Sequence, residues 1–223
     1  MGWFEVVMSK GEFLLVGQAL LFLGCAGNGL QKFVAAEGIV PLLGKPAIVP
    51  RAEWEAAPPL PGYKTHHPDR ITLHHEGVGY YGEPPAPVFI KRIQTWGMQD
   101  KGWADVPYHF LIGVDGTIYE GRPIELVGET NTSYDPTHHI LISVLGNYEK
   151  QKPSRVQLAV VINLMTWLCQ QYSISPEKIK GHQDYCPPGE TVCPGKYLYK
   201  YLRNGSLQRA VKEKLEVSVK AGR

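Results

Sequence analysis

The stretch GHQDYCPPGETVCPG, residues 181–195, gathers one histidine, two cysteines and three prolines. Imidazole nitrogen and thiolate sulfur are the usual donors for zinc, and a catalytic zinc keeps three protein donors with a fourth position open. His182 and Cys193 supply two such donors. The prolines between them stiffen the loop, so less chain entropy is lost when both side chains converge. A disulfide between Cys186 and Cys193, or a plain rigid turn, uses the same residues. A third donor must come from elsewhere, and the His74-His75 pair that closes RITLHH is the best source. Successive side chains on a strand point to opposite faces, so only one of the pair enters a given site. Spacing does not choose between them.

The elements that would carry these residues are legible as a series. RITLHH (70–75) is a short β-prone run. VFIKRIQTW (88–96) repeats apolar residues at helical spacing, with Gly97 placed as a C-cap. YHFLIGVDGTIYEGR (108–122) has two β-rich runs about Asp115-Gly116, a hairpin signal, and HILISVLGN (139–147) is apolar enough for a buried central strand. After Pro153, Ser154 and Gln157 form a capping box. It heads a helix whose stripe is Leu158, Val161, Ile162, Met165, Leu168 and Cys169, the last read as a buried thiol. Ser175-Pro176 opens a short helix that delivers the chain to Gly181-His182. Strands interleaved with helices give an α/β (α+β) domain with a central mixed sheet flanked by helices.

The chain has 223 residues, 43% of them hydrophobic, enough for one compact core and short for two large domains. Its 23 Lys and Arg oppose 21 Asp and Glu with no long basic run, which argues against a nucleic-acid partner. The apolar run Phe13–Leu23 falls short of the roughly 20 residues that cross a bilayer and suits an export signal. LFLGC resembles a lipobox ending at Cys25, although Leu23 stands where a small residue is usual. The expected organisation is a signal over 1–25, an arm over 26–50, a folded domain over 51–205 and a charged helical tail over 206–223. The protein is expected to work as a monomer outside the cytoplasm, with Cys25 offering a lipid anchor.

Five blocks, ITLHHEG, WADVPYHFLIGVDGTIYEGR, HILISVLGN, GHQDY and TVCPG, occur in the order found in zinc-dependent N-acetylmuramoyl-L-alanine amidases of the type-2 superfamily. That group includes phage amidases and peptidoglycan recognition proteins. The resemblance spans roughly residues 51–202. It implies a Zn2+ at the floor of a groove, held by His74, His182 and Cys193, with peptidoglycan as partner and the muramoyl–L-alanine amide as the scissile bond. It implies that Tyr108, in PYHF, hydrogen-bonds the reacting oxygen, and that Thr191 touches the reacting centre. Another branch carries a glutamate base where this chain has Ser143, so the chain follows the tyrosine branch. His75 would then face away.

The remaining polar residues carry plainer expectations. Glu76 stands where relatives often have threonine and is read as a solvated glutamate, with a proton-handling role as the alternative. His138 and His139 are read as loop or groove residues, His109 as structural, and His66 and His67 as without a role. Tyr80, Tyr81, Trp96, Trp103 and Tyr134 offer faces for sugars, and Arg122 offers a cation for a stem-peptide carboxylate. Each is more often core or surface. The state of Cys186 stays open. Two other functions fit the residues: a peptidoglycan-binding module without hydrolysis, and a scaffold on a structural zinc or disulfide.

Overall fold

A computed structural model describes residues 44–221, with side chains to 217; the signal segment, Cys25 and most of the arm lie outside the described residues. Six strands form one sheet: β1 (Ile48–Val49), β2 (Arg70–His75), β3 (Phe110–Ile112), β4 (Ile118–Glu120), β5 (His139–Val144) and β6 (Ile179–Gly181). Their order is β1-β4-β3-β5-β2-β6. β3, β5, β2 and β6 run parallel, while β4 is antiparallel to β3. The mixed sheet matches the expectation. It reaches further toward the N-terminus than the Arg51 start read from the sequence, because Ile48 and Val49 pair in parallel with Ile118 and Tyr119.

Alternation along β2 and β5 divides the sheet into two unlike faces. Ile71 and Leu73 of β2, with Ile140, Ile142 and Val144 of β5, are fully buried in the main core. Each such side chain contributes about 1.5–3 kcal/mol on burial. They meet α2 (Arg155–Gln171) through Val161, Leu164, Met165, Leu168 and Cys169. Leu164 joins the stripe read from the sequence, and Leu158 and Ile162 sit partly buried at its edge. The capping box is present: Ser154 Oγ accepts from Gln157 N at 3.1 Å and Gln157 Oε1 accepts from Ser154 N at 3.0 Å. Gln157 Nε2 also donates to Gly113 O, so the cap fastens α2 to the β3–β4 hairpin. α3 (Lys196–Arg203) and α4 (Ser206–Ala221) complete this layer, and Leu207 and Val211 of α4 are buried in the same core. The segment read as a charged tail is thus a packed helix through its first turns.

The opposite face is covered by α1 (Ala86–Asp100), whose Ile90 and Ile93 pack with Trp54, Tyr80, Val106, Leu111 and Leu145. Gly97 lies inside α1 instead of capping it. A Cβ there would meet Trp103 Cε3 at 2.9 Å, so the glycine serves a close approach and not a left-handed turn. Where α1 does not reach, this face is polar, with Thr72, His74, His139 and Ser143 all buried.

Candidate metal centre

His74 is the last residue but one of β2, and β6 pairs Leu73 with Gly181, which sets His182 beside it just past the strand end. Gly181 N donates to Asp184 Oδ2 at 2.8 Å, which starts the short 3-10 turn His182–Tyr185. The loop then returns: Gln183 N donates to Cys193 O at 2.9 Å and Cys193 N to Thr191 Oγ1 at 3.1 Å. Gly195, at φ +85°, lets this return pack on the segment after β5, where a Cβ would lie 2.3 Å from the Tyr148 carbonyl carbon. Parallel strand ends and two loops thereby bring His74, His182 and Cys193 together, as an open α/β sheet places its sites at carboxyl ends.

The donor atoms of these three buried residues lie within 4.8 Å of one another. Cys193 Sγ is 3.7 Å from His74 Nδ1, and the two imidazole rings are 4.5 Å apart. Sulfur and nitrogen donors on one tetrahedral zinc, at about 2.3 and 2.0 Å, are separated by about 3.5 Å, so the spacing fits that ion. Protonation states fit too. Burial holds His74 well below its ordinary value, with the neighbouring His182 adding to it, and burial brings His182 down to about 4. Both rings are therefore neutral at pH 7, the form that ligates. Burial pushes the Cys193 thiol upward, while the His75 backbone N–H, 3.3 Å from Sγ, opposes that shift. Loading a cation would displace that proton. Cys186 and Cys193 are both free, which removes the disulfide reading of this loop.

His75 points with Leu73, away from the three donors, and its Nδ1 accepts from Tyr148 N at 3.1 Å. Tyr108 stands just before β3 with its ring 5.3 Å from that of His74. Burial, and then the charge of Glu76, drive its phenol well above the usual range, so it stays a hydrogen-bond donor. Tyr108, Glu76 and Thr191 line a cavity of about 220 Å³ together with the three donors. Trp96 and Trp103 form its wall, edge to face at 5.3 Å.

Some expectations change here, and for Arg122, Tyr80 and Tyr134 the core alternative holds. Glu76 is half-buried at the cavity and not a surface glutamate: its Oε2 is buried without a hydrogen-bond partner, and burial raises the carboxyl to about 8. Arg122 is buried and donates to the carbonyls of Val106, Val127 and Asp105 and to Glu129, which leaves no free edge for a stem peptide. Tyr80 is buried, stacks on Phe89 and donates to Pro84 O, so it offers no face to a sugar. Tyr134 is also buried, with its hydroxyl 3.4 Å from His74 Nε2. His139 is the buried first residue of β5, bonded through Nδ1 to Thr72 Oγ1 at 2.7 Å. His109 is structural as expected, since Nδ1 accepts from Leu141 N and Nε2 donates to Leu126 O. Thr130 and Thr132, whose hydroxyls reach His182 Nε2 at 3.2 and 2.6 Å, carry no signal in the sequence. The contacts span about 50 positions, and nothing local marks them.

Comparison with known proteins agrees with this geometry. The family model described as N-acetylmuramoyl-L-alanine amidase matches residues 64–196. Peptidoglycan recognition protein 1 of Mus musculus is 31% identical over 161 residues, covering 70% of this chain and 86% of that protein. Among solved structures, peptidoglycan recognition protein-LE in complex with tracheal cytotoxin, a monomeric diaminopimelic acid-type peptidoglycan, superposes with a TM-score of 0.63 at 27% identity, covering 71% of this chain and 93% of that one. The endolysin N-acetylmuramoyl-L-alanine amidase LysCS of Clostridium intestinale gives 0.57 at 26% identity, over 70% of this chain and 91% of its own. With a matched model spanning most of the sheet and the whole three-donor cluster, the chain belongs to the type-2 N-acetylmuramoyl-L-alanine amidase and peptidoglycan recognition protein superfamily.

Proposed function

We propose that the protein is a zinc-dependent N-acetylmuramoyl-L-alanine amidase that hydrolyses the amide between the muramoyl lactyl group and L-alanine of peptidoglycan. The observation that carries the reading is the convergence of two neutral imidazoles and one thiol at the floor of a cavity that also presents a phenol. Zinc, when bound, supplies Lewis acidity and makes water a better nucleophile near neutral pH. The chain's own groups do the rest. Tyr108, held protonated by its surroundings, donates to the carbonyl oxygen as it gains negative charge. Thr191 already accepts from Cys193 N, so its hydroxyl hydrogen is free to add a second, weaker donor. Trp96 and Trp103 wall the cavity and limit water beside the scissile bond. An extracytoplasmic setting goes with a wall polymer, and the apolar run near Cys25 supports export with a lipid anchor; among the described residues no helix is long and apolar enough to cross a membrane.

The second reading, binding without hydrolysis, draws on the names of the curated relatives, which are recognition proteins. One experiment separates them. Wild type and Cys193→Ser are compared for zinc content by elemental analysis and for amino-group release from purified murein. Stoichiometric zinc and release in wild type, with release lowered by about 10³-fold or more in the variant, is the expected result. Wild type that binds murein and releases nothing favours recognition, and equal release by both proteins refutes the mechanism.

A further inference from the structure

We propose that the loop 130–134 is the positioning element of the metal centre, with the Thr132 and Tyr134 hydroxyls holding Nε2 of His182 and His74 so that both rings present Nδ1. The assignment rests on reading the three donors as a metal site. Tyr134 Oη is 3.4 Å from His74 Nε2, and Thr132 Oγ1 is 2.6 Å from His182 Nε2. Cys193 Sγ faces His74 Nδ1, and no hydrogen bond engages His182 Nδ1 among the described residues. A neutral imidazole has one N–H, so a ring that gives its Nδ1 lone pair to a cation carries its proton on Nε2 and needs an acceptor there. Two hydroxyl oxygens, two residues apart on one loop, are the principal acceptors, and Thr130 Oγ1 reaches the same His182 Nε2 at the longer distance of 3.2 Å.

The loop is held for the task. Glu190, three residues before Cys193, accepts from Ser133 N at 2.6 Å and from Ser133 Oγ at 2.8 Å, which ties the loop to the segment that delivers the thiol. Thr130 Oγ1 meets Thr132 Oγ1 at 2.8 Å and so orients the second hydroxyl. The Tyr134 ring is wedged between Tyr185, stacked at 5.6 Å, and His182, edge-on at 5.0 Å. A phenol this confined has no freedom to turn its oxygen elsewhere.

The test uses full-length wild type, Thr132→Val, Thr132→Ser and Tyr134→Phe. Zinc affinity is measured by competition with a chelating dye, and each protein is melted with and without zinc. Removing a hydroxyl that supports a ligating histidine lowers metal affinity by about 10–100-fold. That loss is expected for Thr132→Val and a smaller one for Tyr134→Phe, whose contact is longer; Thr132→Ser, which keeps the oxygen, stays close to wild type. A merely structural role lowers the metal-free melting temperature but leaves the gain on adding zinc unchanged, whereas a positioning role shrinks that gain. Wild-type affinity in Thr132→Val and Tyr134→Phe, or equal loss in the Val and Ser variants, overturns the assignment alone. Wild type that takes up no zinc overturns the metal reading and this inference together.

Discussion

The two faces of the β2–β5 ladder are built from alternate residues of the same strands and do opposite work. Ile71, Leu73, Ile140 and Ile142 lock the sheet to α2 with no polar atom to satisfy. Thr72, His74, His139 and Ser143, interleaved with them, carry the hydroxyls and imidazoles, and Ser143 Oγ is buried opposite His74 and beside the Tyr108 phenol. Buried polar groups are costly unless they are hydrogen-bonded. One strand pair can hold them because its other side is so well packed. The apolar face therefore carries the fold and the polar face is left to chemistry.

This division can be broken from either side. Leu73→Ala, a cavity in the apolar face, is expected to cost about 2–5 kcal/mol in denaturant unfolding. A Leu73→Ala variant as stable as wild type would mean that the two faces share the load. Tyr108→Phe is the mirror case: kcat falls by about 10²-fold, as on loss of one oxyanion donor, with stability unchanged. A large drop in stability instead would place the phenol in the fold's scaffold.

A further effect lies in pH. The Glu76 carboxyl is raised by burial to about 8. The folded protein thus keeps a proton that the unfolded chain, near the ordinary 4.5, has released, and stability falls as pH rises between those values. Glu76→Gln removes the slope. Melting of the metal-free proteins is expected to show the variant equal to wild type at pH 4.5 and more stable above pH 8, and identical profiles would show that the carboxylate reaches water.

Much of this was readable beforehand, and the exceptions share a cause. β2, β5, the hairpin and the Ser154–Gln157 cap announce themselves because alternation, turn residues and capping act within a few positions. His182 and Cys193 stand in one short segment whose composition already suggests donors, and the resemblance of the ordered blocks points to His74 over His75. What stayed hidden depends on distant partners. Gly97 looked like a cap until Trp103 was seen to lie over it. For Arg122 the sequence leaves core and groove both open, and the three carbonyls that close around it decide for the core. Glu76 looked wet, and Thr132 looked like any loop residue, because neither burial nor a contact some 50 positions away leaves a local pattern.

The separation of the three donors along the chain, at 74, 182 and 193, carries a consequence for biogenesis. A chain still emerging from the ribosome owns one imidazole of the trio for more than a hundred residues of synthesis and cannot compete for an ion until its last third has been made and docked. On the proposed zinc reading, loading would then be a final maturation step, and the compartment that first holds the completed fold would set which cations are on offer.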